Sequence, residues 1–143
     1  ACAAVERAES FVRMVSRKSG GQLPPGAAHL TKAKSSLRAL RGLVSSALER
    51  YEDALQDKRA MASVDFQATM NLLKVESSEQ ALATVMDAYR ACGLAGYRND
   101  SEFSIGRQLR DVLSSPLMIS NDRILANMSA ASLLSGVPKR LRD

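Results

Sequence analysis

Two long helical stripes, one directly after the other, constrain this chain more than any other feature. Apolar residues recur at spacings of three and four through Leu30, Ala33, Leu37, Leu40, Val44, Ala47, Tyr51 and Leu55, the period of one face of an α-helix. The spacing predicts a helix of about thirty residues, Ala27 to Asp57. A second stripe runs through Met61, Val64, Ala68, Leu72, Val75, Leu82, Val85 and Tyr89 and stops at Gly93, a residue suited to end a helix. At 1.5 Å per residue each helix is about 45 Å long. With a turn near Lys58 to Ala60, the two predict an antiparallel hairpin.

Shorter helices fit around that hairpin. Val5, Ala8, Val12 and Val15 predict a helix from residue 2 to 18, which Ser19-Gly20-Gly21 and Pro24-Pro25-Gly26 then break. A short helix is expected from Ile105 to Ser114 with Pro116 ending it. A last one is expected from Asn121 to Ser135, with Ile124, Met128, Ala131 and Leu134 inward. No segment of four or more residues alternates apolar and polar in a way that favours a strand. The expectation is a single all-α domain over residues 1–143: an up-and-down four-helix bundle with two central helices of about thirty residues and a short crossing helix. Hydrophobic residues make up 45% of the chain, aromatics only 4%, and Trp is absent. A core of Leu, Val, Ala and Met is therefore predicted, a mixture suited to close-packed helices.

Composition also narrows the function. The net charge is +5 and the pI about 9.6, with positives gathered at Lys32, Lys34, Arg38 and Arg41 and at Lys139, Arg140 and Arg142. A nucleic-acid binder would add a reading helix or stacking aromatics to such patches, and neither is evident. A solvated face and a basic tail are expected instead. Cys2 and Cys92 show no metal or disulfide spacing, no apolar run approaches the ~20 residues of a membrane span, and no signal peptide opens the chain. These features predict a soluble cytoplasmic protein. The start at Ala1, partway along a helix and without methionine, predicts a fragment of a longer chain.

Hydrolytic and metal chemistry find no support. His29 is the single histidine and has no ligand partner at helical spacing, so it is read as structural. Neither cysteine has a recognisable base beside it, and there is no Gly-x-Ser-x-Gly elbow. From the residues alone the chain is a helical bundle without a catalytic signature.

Three ordered segments carry a resemblance. The first is Arg17-Lys18-Ser19-Gly20-Gly21, the second Arg90-Ala91-Cys92-Gly93-Leu94-Ala95-Gly96-Tyr97, followed by Leu109-Arg110-Asp111, and the third Ile119-Ser120-Asn121 before the last helix. Together they resemble the C-terminal helical domain of the acyl-CoA dehydrogenase flavoenzymes. The first is similar to that family's Arg-x-x-Phe-Gly turn, with Gly20 in place of the phenylalanine. There the resemblance implies that Arg17 and Ser19 meet the FAD pyrophosphate of a neighbouring subunit, and a guanidinium suits phosphate oxygens. The second is similar to Gln-x-x-Gly-Gly-x-Gly-Tyr, with Arg90 for the glutamine and Leu94 for the second glycine. It implies that Arg90 and Gly93 approach the adenine side of FAD. Arg110-Asp111 resembles the Arg-Asp pair ahead of the family's active-site loop.

The third segment departs in chemistry. Many relatives carry a catalytic glutamate followed by Gly-Thr at the positions of Ile119, Ser120 and Asn121. Asn121 is expected to touch the cofactor, Asp122 to stabilise the start of the last helix, and Ile119 cannot take a proton. Some branches place the base on the helix that corresponds to residues 2–18, at a site that would fall before Ala1, so no catalytic residue is assigned within the chain. The resemblance implies an FAD-dependent oxidoreductase acting on acyl-CoA or another acyl thioester. It further implies contact with the protein's own upstream domains, assembly as a homodimer or homotetramer, and no activity in the isolated fragment. A same-fold flavin oxidase or monooxygenase, and a non-catalytic oligomerisation or binding module, stay open beside it.

Overall fold

The computed structural model describes residues 1–134, and every regular element among them is helical. In chain order these are α1 (Cys2–Lys18), α2 (Ala27–Leu55), α3 (Lys58–Met61), α4 (Val64–Cys92), α5 (Leu94–Tyr97), α6 (Gly106–Met118) and α7 (Asn121–Leu134). The all-α bundle and both long helices match the sequence expectation. Helix α4 is the hub, packed against α1, α2, α6 and α7. The expected end of the last helix at Ser135, the basic tail, and the side chains of Ala131 and Leu134 lie outside the described residues.

Local chemistry sets the boundaries. Ser63 is extended and its Oγ accepts from the Phe66 amide at 3.1 Å, which starts α4. Asp57 does the same for α3 by accepting from the Arg59 amide at 2.8 Å. The expected turn near Lys58 to Ala60 is therefore a one-turn helix, α2 stops at Leu55 rather than Asp57, and α4 begins at Val64. Pro116 does not end α6, which continues to Met118. A proline removes one amide donor, and this close to the end of the helix the chain tolerates that loss.

Side-chain pairs fix how the helices run. Gln80 donates to the Ser36 carbonyl at 3.4 Å, Arg50 pairs with Asp65 at 2.5 Å and Tyr51 stacks on Phe66 with ring centroids 6.4 Å apart. These contacts make α2 and α4 antiparallel over their whole length. Lys34 reaches Glu9 at 3.0 Å and Arg41 reaches Cys2 Sγ at 3.4 Å, so α1 runs antiparallel to α2. The Lys34 hydrogen bond holds the Glu9 carboxyl below its ordinary pKa.

The core lies around the C-terminal half of α4. Ala4, Val5 and Ala8 of α1, Ala33 of α2, Val85, Ala88, Ala91 and Cys92 of α4, and Ile105 form one buried cluster. Leu and Met, expected in the core, are absent from the buried set among the described residues, and alanine dominates it. Small side chains let the helix axes approach, and Leu30, Leu37 and Leu109 pack partly buried around them. The far half of the hairpin is a different surface. Val44, Leu48, Tyr51, Leu55, Val64 and Leu72 are exposed there, although five of them, all but Leu48, belong to the apolar stripes. The reason is length: the 17 residues of α1 cover only part of the 29-residue helices beside it, and since Cys2 at its start lies opposite Arg41, about 21 Å of α2 extends past α1 at 1.5 Å per residue.

Candidate functional site

Three helix ends meet at one end of the bundle: α1 stops there, α2 starts and α4 stops. Arg17 and Lys18 occupy the last turn of α1, where positive charge complements the helix dipole. Gly20 then adopts φ +64°, and the Gly21 amide returns to the Ser16 carbonyl at 2.9 Å, a Schellman closure. Residue 20 must therefore take a left-handed conformation, which accounts for glycine at the position where the family pattern has phenylalanine. Among the described residues the exposed Arg17 side chain and the Ser19 hydroxyl have no hydrogen-bond or ion-pair partner.

The start of α2 is pressed against the end of α4. A Cβ on Gly26 would lie 2.4 Å from the Ala91 carbonyl oxygen, so only glycine allows this approach. His29 Nδ1 lies 3.3 Å from Asp87 Oδ1, and Arg90 Nη1 lies 3.8 Å from the same oxygen. His29 thus has the structural role expected of it, tying α2 to α4. Gly93 ends α4 with φ +53°, and its amide bonds the Tyr89 carbonyl at 3.0 Å. The space beside Gly93 is open. The first two landmark segments, far apart in sequence, are thereby brought to one end of the molecule.

Next to that end lies a cleft of about 330 Å³ lined by Tyr89, Tyr97, Arg98, Asn99, Gly106, Leu109 and Arg110. Arg98 is held by Asp100, with contacts of 2.9 and 2.6 Å. Asp111 pairs with Arg107 at 3.8 Å, while Arg110 has no ion pair among the described residues. The Arg110-Asp111 motif is therefore not an internal ion pair, and its arginine lines the cleft.

The third segment sits elsewhere. Lys74 on α4 reaches it, and 18 residues separate Lys74 from Cys92, about 27 Å along the helix. Ile119 caps α6 in extended conformation and is 55% exposed, while Leu117 and Met118 before it are exposed further. Ser120 Oγ accepts from the Arg123 amide at 3.2 Å and begins α7, with Asp122 in its first turn as expected. Asn121 is turned inward and only 5% exposed. Its Nδ2 donates to Ser78 Oγ at 2.9 Å and to Glu79 Oε1 at 2.8 Å, and its Oδ1 accepts from Lys74 Nζ at 2.5 Å. The amide of Asn121 is thus spent inside the bundle. Lys74 also donates to the carbonyls of Ser115, at 3.1 Å, and Ile119. Sequence reasoning passed over Lys74, whose single signal is a charge between Leu73 and Val75 inside an apolar stretch.

An FAD-type ligand fits what the first two segments offer. A pyrophosphate needs a free cation and free hydroxyl or amide donors, and Arg17 and Ser19 provide both without breaking any existing contact. Arg90 is exposed and, among the described residues, is held only by the long contact to Asp87. Among the described residues no group of three or more His, Cys, Asp and Glu side chains is placed to hold a metal ion, and no helix is long and apolar enough to cross a membrane. Residues 1–115 match the family described as "Acyl-CoA dehydrogenase, C-terminal domain". No curated protein and no solved structure matches the chain. The matched part holds the first two segments and Arg110-Asp111, and it stops short of Ile119.

Proposed function

The chain belongs to the family of acyl-CoA dehydrogenase C-terminal domains, and on that premise we propose that it closes one side of an FAD site in a longer oxidoreductase. The reaction proposed is α,β-dehydrogenation of an acyl-CoA or other acyl thioester. The observation that carries this reading is the pair of donors without partners among the described residues, Arg17 and Ser19, at the same bundle end as the open turn at Gly93. Arg17 grips the pyrophosphate and Ser19 donates to it. Arg90 adds positive charge, and Gly93 allows the backbone to approach the adenine side. Asn121 serves the site indirectly, by anchoring the start of α7 to α4.

Bound FAD supplies the two-electron acceptor for a hydride from the β-carbon. This chain's residues bind and enclose. The Ile119 side chain has no atom that accepts a proton, so no residue of this chain is assigned as the base that takes the α-proton. The exposed apolar hairpin surface supports assembly with a second copy, as a homodimer or homotetramer. A cytoplasmic location is part of the same reading.

Ile119 also favours a second reading, a same-fold flavin oxidase or monooxygenase, which has no need of that carboxylate. Purifying the full-length protein and recording its visible spectrum tests both together. A yellow protein whose flavin is bleached by an acyl-CoA without oxygen supports the dehydrogenase. Flavin that acyl-CoA leaves oxidised, but that another reductant bleaches and oxygen reoxidises, supports the second reading. A colourless protein that takes up no FAD leaves the domain as a non-catalytic oligomerisation or binding module.

A further inference from the structure

Lys74 lies about a third of the way along α4, half-buried, and an ammonium group has three N–H donors. All three find oxygens in the α6–α7 junction: the Ser115 carbonyl at 3.1 Å, the Ile119 carbonyl, and Asn121 Oδ1 at 2.5 Å. No carboxylate pairs with Lys74 among the described residues. Its charge is balanced instead by the last carbonyls of α6, which have no intrahelical donors and form the negative end of that helix. Asn121 extends the hold, because Ser78 accepts from its Nδ2 at 2.9 Å while donating to the Val75 carbonyl at 2.8 Å.

From this geometry we infer that Lys74 is a positioning residue, which fixes residues 115–121 on α4 and so holds in place position 119, where the family resemblance puts the residue that meets the acyl thioester and flavin. The role rests on the flavin reading above. Lys74 grips the backbone of position 119 and not its side chain, so the grip is the same whatever residue stands there. The segment it holds has little core packing of its own. Leu117, Met118 and Ile119 are 76%, 82% and 55% exposed, so hydrogen bonds to one ammonium replace apolar burial as what keeps this apolar lip in place.

The test is Lys74→Met in the full-length protein, a change that keeps an unbranched apolar stem one atom shorter and removes all three donors. The expected result is FAD content and KM within about twofold of wild type and kcat lower by roughly ten- to hundredfold, the cost of slight misplacement. The visible circular dichroism of the bound flavin is expected to change as well. Turnover is measured with the acyl-CoA that the wild type uses fastest, and Lys74→Arg should restore most of it. Unchanged kcat and dichroism in Lys74→Met overturn the inference. So does a parallel loss of FAD and kcat that arginine does not rescue, the mark of a general loss of structure. Should the methionine variant not fold, Lys74→Gln, whose shorter side chain cannot bring its amide to all three oxygens, is read by the same criteria. A wild-type protein without flavin contradicts the preceding reading, and amide exchange then judges the clamp. Exchange about tenfold faster over residues 119–123 in Lys74→Met supports it, and unchanged exchange overturns it.

Discussion

At the scale of single residues, environment separates side chains that the sequence leaves alike. Cys92 is 2% exposed, and burial pushes its thiol up to about 11, whereas Cys2 is exposed. The thiolate is the reactive form and is scarce at Cys92 below that pH. An alkylating reagent near neutral pH should therefore modify Cys2 and spare Cys92 until the protein unfolds. Mass spectrometry of the labelled protein checks this, and equal labelling of both would show that the end of α4 is open. The same contrast explains what could be read in advance at the candidate site. Arg17, Ser19 and Gly93 sit at helix ends, where local sequence marks the position. The inward turn of Asn121 depends on Ser78 and Glu79, more than 40 positions away. Lys74 was hidden for the same reason, since its partners lie on two other segments.

At the scale of elements, lengths and caps were legible and the joints were not. Periodicity located α1, α2, α4 and α6 within a few residues because each carries an apolar face. The short helix α3 has no such face and is held by the Asp57 cap and its neighbours, which periodicity does not report. Pro116 marked a stop too early, because the carbonyls at the end of α6 are met by Lys74 and a proline near a helix end removes little. The start of α4 depends on one cap. Ser63→Ala should lower stability by about 0.5–2 kcal/mol, the usual loss of a serine cap, as measured by denaturant unfolding. No change in the midpoint would mean that packing alone sets this boundary.

At the scale of the molecule, the chain divides into an alanine-rich packed end and a hairpin that extends past its cover. The apolar stripes run the whole length of both long helices, yet Val44, Tyr51, Leu55 and Val64 face solvent, because nothing in a stripe tells how far the neighbouring helix reaches. If that surface joins copies in the full-length protein, Leu48→Glu should shift the assembly to smaller species in analytical ultracentrifugation while far-UV circular dichroism stays unchanged. An unaltered assembly would place the interface elsewhere. At the packed end, Arg17 and the turns around it are proposed to hold the pyrophosphate of FAD. The most direct measurement is the FAD affinity of the full-length apoprotein, wild type against Arg17→Ala. Binding weaker by about 1–3 kcal/mol is expected in the variant, the scale of a charge-assisted hydrogen bond. Equal affinity in the two proteins, or no FAD binding by the wild type, would contradict it.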